Sequence, residues 1–501
     1  MKKQIHVTVN GKQQHAVCNI TLSELINGEK PCGGHGKCGK CKVIARGNLS
    51  ELTDAEKKHL TADELANGVR LACLTYALGD CEIETHSHTE QTQIVTDGAL
   101  PQIELNPTFS LYGVAIDIGT TTLAARLYDT KGTLLAEASR LNPQQAFGAD
   151  VISRIEAALD GKSNELAKEI RKALNDMLSE LASKAGIPAT QIDGLVITGN
   201  TVMLSLLTEE SVEPFSHAPF EAKRLFGETL TAKEVELFQL NPDTKIYLPP
   251  CISAFVGADI TCAILATELT EREEPTLLVD IGTNGEMALW NKGRLTVCST
   301  AAGPAFEGVG ISMGMRGAEG AIDKVKIKDG KLEAHVIGNT EPKGICGSGL
   351  LDAVACMLET EILDESGYLE DESFEIQAPV SVTQKDIRML QLAKSAICAG
   401  LLTLIESEGL QPSDFSALYV AGGFGNYLSP ESAAKIGLLP KELAQRIQTV
   451  GNAALAGASM LVLNQAFLLQ VEAFKKSTSV LDLSTNSIFI DEYTQGMLFG
   501  N

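Results

Sequence analysis

The sequence has few aromatic residues and few basic ones. Phenylalanine, tyrosine and tryptophan make up 5% of its 501 residues, so its hydrophobic cores must be mostly aliphatic. Aspartate and glutamate number 64 against 41 lysines and arginines, which gives a formal net charge of -23. An acidic surface repels phosphate backbones and anionic lipids, and therefore predicts neither a nucleic-acid partner nor a membrane partner.

Export and membrane-spanning signals are also missing. The chain begins with Met1 and two lysines and runs into alternating residues instead of an apolar signal core. The longest uncharged stretch, Ile447 to Val471, is broken by asparagine and glutamine and is rich in glycine and alanine, which indicates a buried helix. We therefore expect a cytoplasmic protein whose 12 cysteines form no secreted disulfide framework.

Three of the cysteines stand together in a glycine-rich loop, and a fourth follows at a distance. The spacing is Cys-x5-Cys-x2-Cys-x31-Cys, close to the plant-type pattern of three clustered cysteines and one remote cysteine. Thiolates must converge on one point to hold an iron–sulfur cluster, and glycine lets the backbone wrap closely around it. The pattern predicts a 2Fe–2S cluster bound by Cys32, Cys38, Cys41 and Cys73.

Other uses of these residues remain open at this point. A zinc site usually combines two Cys-x2-Cys knuckles, and this segment has one. Cys81 could be the fourth ligand, but it alternates with glutamates as an inward strand position does, and Cys18 ends a strand. Both are predicted to pack in the core. His35 lies inside the loop and could be a ligand, although four thiolates complete the set without it.

The residues around the loop predict a small β-rich domain. An alternating stretch ends at Asn10-Gly11, which is the strongest short-range signal for a hairpin, and a short helix is predicted at 22–26. With the cysteine loop, this segment resembles a 2Fe–2S ferredoxin of the β-grasp type. We assign residues 1–86 to a ferredoxin domain and residues 87–110, which are polar and contain turn formers, to a linker.

Two copies of an Asp-x-Gly-Thr element follow hydrophobic strands, the first beginning at Asp117 and the second at Asp280. A strand that ends in a tight glycine turn presents backbone N–H groups to phosphate oxygens, and threonine hydroxyls add donors. The aspartates need a cation between themselves and phosphate, typically Mg²⁺. A third strand ends in a glycine pair that leaves room for adenosine. The predicted nucleotide contacts are Gly119, Thr120, Thr121, Gly282, Thr283, Asn284, Gly422 and Gly423.

This order of elements resembles the superfamily of acetate kinase, sugar kinases, heat-shock chaperone ATPases and actin. The resemblance implies an α/β, actin-like ATPase whose two ribonuclease-H-like halves, residues 111–207 and 208–501 with a C-terminal tail, close on ATP. It also implies that Asp259 lies on a connecting helix and positions a Mg²⁺-bound or attacking water. The alternative for Asp259 is an ordinary acid at a helix N-terminus. The catalytic candidates are thus Asp117, Asp259 and Asp280.

A ferredoxin domain joined to such an ATPase resembles the reductive activators of corrinoid proteins. The resemblance rests on the four cysteines and on signatures at 117–122, 198–201, 280–286, 303–308, 346–349 and 421–426. It implies ATP-dependent transfer of one electron from a 2Fe–2S cluster to Co(II), which restores Co(I) for methyl transfer. The implied partners are a corrinoid protein of a methyltransferase system and an upstream low-potential electron donor, and the family often forms homodimers.

Three other functions compete with this interpretation. Activators of 2-hydroxyacyl-CoA dehydratases carry a 4Fe–4S cluster shared between subunits and no ferredoxin domain, so the cysteine loop argues against them. The main alternative is an ATP-dependent small-molecule kinase regulated by an attached ferredoxin domain, which a sugar that stimulates ATP consumption would favour. An assembly factor that binds nucleotide without turnover would show no hydrolysis with any partner.

Overall fold

The computed structural model describes residues 4–26, 36, 39, 41–85, 100–101 and 103–500. The chain divides into two compact units. The first comprises residues 1–90 and 142–170, and the second comprises residues 91–141 and 171–501.

The first unit contains a mixed sheet with strand order β2-β1-β6-β4-β5, in which β3 also pairs with β6. Strands β1 and β6 are parallel, whereas the other pairs are antiparallel. Asn10 and Gly11 have φ of 48° and 78°, as a tight hairpin turn requires, which confirms the predicted hairpin. The elements of residues 4–84 are β1 Gln4–Val9, β2 Lys12–Val17, β3 Ile20–Thr21, α1 Leu22–Leu25, β4 Lys42–Leu49, α2 Asp54–His59, α3 Ala62–Ala66, β5 Val69–Leu71 and β6 Tyr76–Glu84.

The second unit is built on two larger sheets. The first has the order β11-β12-β10-β7-β8-β9, with β7 and β10 parallel at its centre. These two central strands are almost entirely buried, as expected of parallel strands whose two faces are both covered. The elements of residues 112–248 are β7 Tyr112–Ile118, β8 Thr122–Asp129, β9 Leu134–Leu141, α4 Val151–Ala157, α5 Ser163–Ala185, β10 Ile192–Gly199, α6 Thr201–Leu207, β11 Glu228–Thr231 and β12 Lys245–Leu248. Of these, α4 and the part of α5 up to Ile170 belong to the first unit.

The second of these sheets has the order β22-β21-β13-β14-β15-β23. Two smaller sheets have the orders β17-β16-β18 and β19-β20. The elements of residues 258–495 are α7 Ala258–Ala266, β13 Thr276–Ile281, β14 Gly285–Asn291, β15 Arg294–Thr300, β16 Ala321–Lys328, β17 Lys331–Val336, β18 Gly344–Ile345, α8 Gly347–Glu359, β19 Ser373–Gln377, β20 Val380–Thr383, α9 Gln384–Ser407, β21 Ala417–Ala421, α10 Pro430–Lys435, β22 Ile447–Gly451, α11 Ala453–Leu463, α12 Ala466–Ser477, β23 Ser479–Val480 and α13 Ser487–Gln495.

Small residues let two helices of the second unit approach closely. Every residue of α11 is buried, which confirms the buried helix predicted within Ile447–Val471. Helix α11 packs on α7, and a Cβ atom at Gly457 would lie 2.0 Å from the carbonyl oxygen of Cys262. A larger residue at this position would therefore separate the helices, as expected of a small-residue contact.

Residues 106–109, at the end of the segment predicted as a linker, are part of the second unit and pack against its other elements. The Thr108 N–H donates to the Val462 carbonyl at 2.9 Å. Phe109 is buried: its ring lies where a side chain at Gly113 would stand, and its Cβ atom lies 2.8 Å from the position of a Cβ atom at Gly194. Among the described helices, α9 is long and apolar enough to cross a bilayer, but 72% of its apolar window is buried inside the protein, as in a core helix.

Candidate functional site

Cys41 and Cys73 bring their sulfur atoms together in the first unit. The Sγ–Sγ distance is 3.1 Å, longer than the roughly 2.05 Å of a disulfide. Two thiolates on one metal atom, each with a metal–sulfur bond of about 2.3 Å, must lie within about 4.6 Å of each other. The pair therefore fits one metal atom. Cys32 and Cys38 lie outside the described residues, as does His35.

The backbone next to this pair has the conformation that glycine permits. Gly36 and Gly39 have φ of 68° and 65°, in the left-handed region that side chains disfavour. A Cβ atom at Gly36 would also lie 2.6 Å from Leu74 Cδ1. Cys81 is buried in the core of the sheet and Cys18 packs against that core, which confirms the predictions for both.

A buried carboxylate holds the turn that carries Cys73. Glu56 Oε1 accepts hydrogen bonds from the Leu71 N–H at 3.2 Å and from Thr75 Oγ1 at 3.0 Å, the residues two before and two after the cysteine. The same oxygen accepts from Arg70 Nε at 2.8 Å. Glu56 thereby fixes the curl of the turn and with it the direction of the Cys73 thiol.

The charge of Glu56 is strongly stabilised. Burial alone would raise its pKa, but the Arg70 guanidinium and the backbone N–H groups of Thr53 and Leu71 outweigh it and lower the pKa to about 2. Glu56 is not among the site residues predicted from the sequence. Its only sequence signal is the Thr-x-x-Glu box that starts α2, which also occurs at Thr61 and Glu64 at the start of α3.

The second unit contains a cavity of about 580 Å³, which is the size of a small-molecule site. The ends of β7 and β13 place both Asp-x-Gly-Thr loops on its wall, and the glycine pair after β21 completes it. All the predicted nucleotide contacts and all three catalytic candidates line it. These residues are Asp117, Gly119, Thr120, Thr121, Asp259, Asp280, Gly282, Thr283, Asn284, Gly422 and Gly423.

Four of the carboxyl groups that line this cleft have raised pKa values. Desolvation is the main cause that raises the pKa of Asp117 to about 7, of Asp280 to about 7 and of Asp259 to about 6, and Asp259 adds repulsion to the first two. Glu286 lies directly opposite Asp280 in the β13–β14 pairing. Its pKa is raised well above its ordinary value by desolvation and by the charges of Asp259 and Asp280.

Like charges directly opposite each other on a sheet are unfavourable unless something neutralises them. Hard divalent cations bind oxygen ligands, and Mg²⁺ is usually bound by one or two carboxylates together with waters and phosphates. The donor set therefore fits Mg²⁺. Asp259 also accepts the Ile260 N–H at 2.8 Å in the first turn of α7, so it is an acid at a helix N-terminus that also faces the cleft.

Amide side chains hold the loops of the cleft in place. Asn452 Nδ2 donates to Asp117 Oδ2 at 2.9 Å, while its oxygen accepts the Leu455 N–H at 2.8 Å and caps α11. Asn200 Nδ2 donates to Thr120 Oγ1 at 3.1 Å. Four residues of the cleft were not predicted from the sequence: Asn200, Asn452, Glu286 and Glu307. Three of them lie in signatures already noted, but nothing local marked which member would face the cleft.

The glycine pair has two different roles. Gly422 has φ of 94°, and a Cβ atom there would lie 2.6 Å from Asp280 Oδ1, so its side-chain-free backbone lets the third loop approach the second. A Cβ atom at Gly423 would meet nothing within 4 Å, so this residue leaves open space in the cleft. The next residue, Phe424, stacks on Phe306 with ring centroids 4.7 Å apart.

The carboxyl cluster predicts an unusual pH dependence of stability. Since the folded pKa values of Asp117, Asp259 and Asp280 exceed the ordinary value of about 3.9, the folded protein retains protons that the unfolded chain has lost. Their contribution to the free energy of unfolding is complete below about pH 4 and is lost as the pH rises through about 7. Without Mg²⁺, Tm should therefore decrease over this range.

Saturating Mg²⁺ competes with those protons, so the Tm increase that it causes should grow between about pH 6 and pH 8. Differential scanning calorimetry with and without Mg²⁺ measures both trends. Asp117→Asn is the control: it removes one of the titrating groups, so both Tm trends should become weaker. A Mg²⁺-induced increase that is the same at every pH would contradict the assignment of these carboxyls to a cation site.

Two models of the same protein family match most of the chain. Residues 274–501 match the C-terminal domain of RACo, its ASKHA domain, and residues 112–272 match the RACo middle region. The ASKHA match confirms the predicted actin-like ATPase fold for the C-terminal part of the chain.

Two relatives match along more than three quarters of the chain. It is 35% identical over 422 residues to "Corrinoid activation enzyme RamQ" of Eubacterium limosum, covering 78% of this chain and 71% of that protein. It is 29% identical over 428 residues to "[Co(II) methylated amine-specific corrinoid protein] reductase" of Methanosarcina barkeri, covering 77% and 78%. A solved "Reductive activator for corrinoid,iron-sulfur protein" matches with a TM-score of 0.73 and 28% identity, covering 99% of this chain and 98% of that one.

Proposed function

The chain belongs to the RACo family of corrinoid-activating proteins, and from this we propose that it reduces the Co(II) form of a corrinoid protein to Co(I) in an ATP-dependent reaction. The electron would come from a 2Fe–2S cluster in the N-terminal domain. The observation that carries the proposal is that one chain of this family contains both a converging thiol pair and a cleft with two phosphate loops. The proposed cluster ligands are Cys32, Cys38, Cys41 and Cys73.

The N-terminal sheet supports a ferredoxin domain. A hairpin, a short helix and a parallel pairing of the first and last strands are the arrangement expected of a β-grasp domain. The paired sulfurs of Cys41 and Cys73 and the left-handed glycines beside them suit a cluster loop. When bound, the cluster supplies one electron at low potential. The chain's own residues position the thiolates, and Glu56 and Arg70 keep the Cys73 turn in place.

The cleft of the second unit supports ATP binding. Backbone N–H groups and hydroxyls at Thr120, Thr121 and Thr283 would face the phosphates, while open space at Gly423 would accept adenosine. Asp117, Asp259, Asp280 and Glu286 would hold Mg²⁺, which screens their charge from the phosphates. Asp259 would in addition orient the water that attacks the terminal phosphate.

ATP is needed because the electron transfer is expected to be uphill. A plant-type cluster lies near about -400 mV, and the Co(II)/Co(I) couple of a protein-bound corrinoid is expected to lie lower. Each ~59 mV of gap is a tenfold penalty for one electron. Nucleotide binding or hydrolysis would remove this penalty by favouring a complex in which the cobalt is reducible. We place the reaction in the cytoplasm, where thiols stay reduced, with an upstream low-potential donor that recharges the cluster.

The test is to mix the anaerobically reconstituted and reduced protein with Mg-ATP and candidate corrinoid proteins and to record the cobalt absorption spectrum. We expect Co(II) to convert to Co(I) with at least one candidate, and faster with ATP than with ADP. ATP hydrolysis that a sugar stimulates, with no effect of any corrinoid protein, would instead indicate the regulated kinase. Reduction at the same rate with and without ATP would contradict the coupling.

A further inference from the structure

One carboxylate connects the two phosphate loops. Glu307 Oε2 accepts a hydrogen bond from Thr121 Oγ1 at 2.6 Å, and its Oε1 accepts one from Thr283 Oγ1 at 2.8 Å. Thr121 precedes β8 in one sheet, and Thr283 lies between β13 and β14 in the other. A single side chain therefore ties together loops that belong to opposite walls of the cleft.

In the proposed nucleotide complex, the same two hydroxyls donate hydrogen bonds to phosphate oxygens. A threonine hydroxyl has one proton to donate, so it cannot donate to Glu307 and to a phosphate at the same time. A carboxylate and a phosphate are both anionic oxygen acceptors of similar strength. Glu307 thus competes with nucleotide phosphates for the same two protons, and its negative charge opposes theirs.

We propose that Glu307 is a phosphate-displaced latch. It joins the two phosphate loops before nucleotide binds, it is released when phosphates take the hydroxyl protons of Thr121 and Thr283, and it helps to expel the product when it rebinds them. This inference rests on the proposed nucleotide binding. It adds a route by which phosphate binding would change the conformation of other parts of the second unit.

The loop that carries Glu307 contacts three other parts of the cleft wall. The Gly303 N–H donates to the Thr283 carbonyl at 2.9 Å. Phe306 stacks on Phe424 in the adenosine loop at 4.7 Å. A Cβ atom at Gly347 would lie 2.0 Å from the Phe306 carbonyl oxygen, so the start of α8 rests directly on this loop. Displacement of Glu307 would therefore move the adenosine loop and α8 together.

The decisive variant is Glu307→Gln, which keeps the size of the side chain but removes its charge and one of its acceptors. Because the competitor is weakened, Mg-ADP should bind about three- to tenfold more tightly, and a fluorescent ADP analogue should dissociate more slowly by a similar factor. Glu307→Asp, one methylene shorter, cannot reach both hydroxyls. It should therefore also tighten Mg-ADP binding and slow dissociation of the ADP analogue. Calorimetry and stopped-flow fluorescence on the full chain measure them.

Thr283→Val separates the latch from a structural role. It removes a donor that serves both Glu307 and phosphate, so it should weaken Mg-ADP binding, and in its background Glu307→Gln should have a smaller effect. If the role of Glu307 were merely structural, replacing it would loosen the loops. Both Glu307 variants would then bind Mg-ADP more weakly. That result, or unchanged binding, overturns the latch alone. Wild-type protein that binds no Mg-ADP would overturn the nucleotide part of the proposed function and the latch with it.

Discussion

Glu56→Gln is expected to destabilise the N-terminal domain and to release its cluster. The amide cannot replace the charge that Arg70 pairs with, and its NH₂ group would face N–H donors of Arg70 or Thr53. Breaking a buried ion pair on one side typically costs about 3–5 kcal/mol. The oxygen that remains for Leu71 and Thr75 is then a neutral acceptor that Arg70 no longer holds by charge, so the turn at Cys73 should loosen. The 2Fe–2S absorption should then decay at least about tenfold faster in the presence of an iron chelator.

Glu64→Gln is the matched control. Glu64 closes the same kind of box with Thr61 one helix later, but its remaining partner is Lys42 on the protein surface and not the Cys73 turn. A surface ion pair contributes at most about 1 kcal/mol, so Glu64→Gln should retain the cluster like the wild type. If the two variants lose the cluster at equal rates, Glu56 does not position Cys73. If the wild type forms no 2Fe–2S cluster, the ligand assignment itself is wrong.

Asp280→Asn is expected to reduce ATP hydrolysis and ATP-dependent cobalt reduction by about 10²–10³-fold, the loss seen when one electrostatic contact at a phosphoryl-transfer or oxyanion site is removed. The same change should leave Tm unchanged or raise it when Mg²⁺ is absent. Asp280 is repelled by Asp259 and Asp117 and lies opposite Glu286, so that a neutral amide relieves repulsion. Loss of activity with a gain of stability identifies a residue kept for chemistry.

Asp243→Asn serves as the control for this variant, because Asp243 is an exposed turn residue outside the cleft. Hydrolysis is measured by phosphate release and stability by calorimetry on the same preparations. The N-terminal cluster spectrum should be unchanged in both variants. If Asp280→Asn lowers activity and Tm together, its role is structural; if it leaves hydrolysis intact, Asp280 does not contact Mg-ATP.

Local chemistry made part of the molecule predictable. The Asn10-Gly11 turn, the buried helix near the C-terminus and the two strand-to-glycine loops depend on neighbouring residues, and the structure contains each of them. The inward position of Cys81 follows from alternation along one strand. The approach of Cys41 to Cys73 was predicted from the chemistry of thiolates alone, because a common metal requires converging ligands wherever they stand in the chain.

By itself, then, the sequence determined the types of sites that we propose for this protein, since ligand type, glycine content and strand alternation are properties of short segments. Only the tertiary structure decided which acids lie beside the predicted residues. Glu307 meets Thr121 across 186 residues and Asn452 meets Asp117 across 335. Glu56 reaches the Cys73 turn from a helix start that looks the same as the next one. Such contacts depend on how sheets and helices pack, and packing is specified by the whole chain rather than by any local pattern.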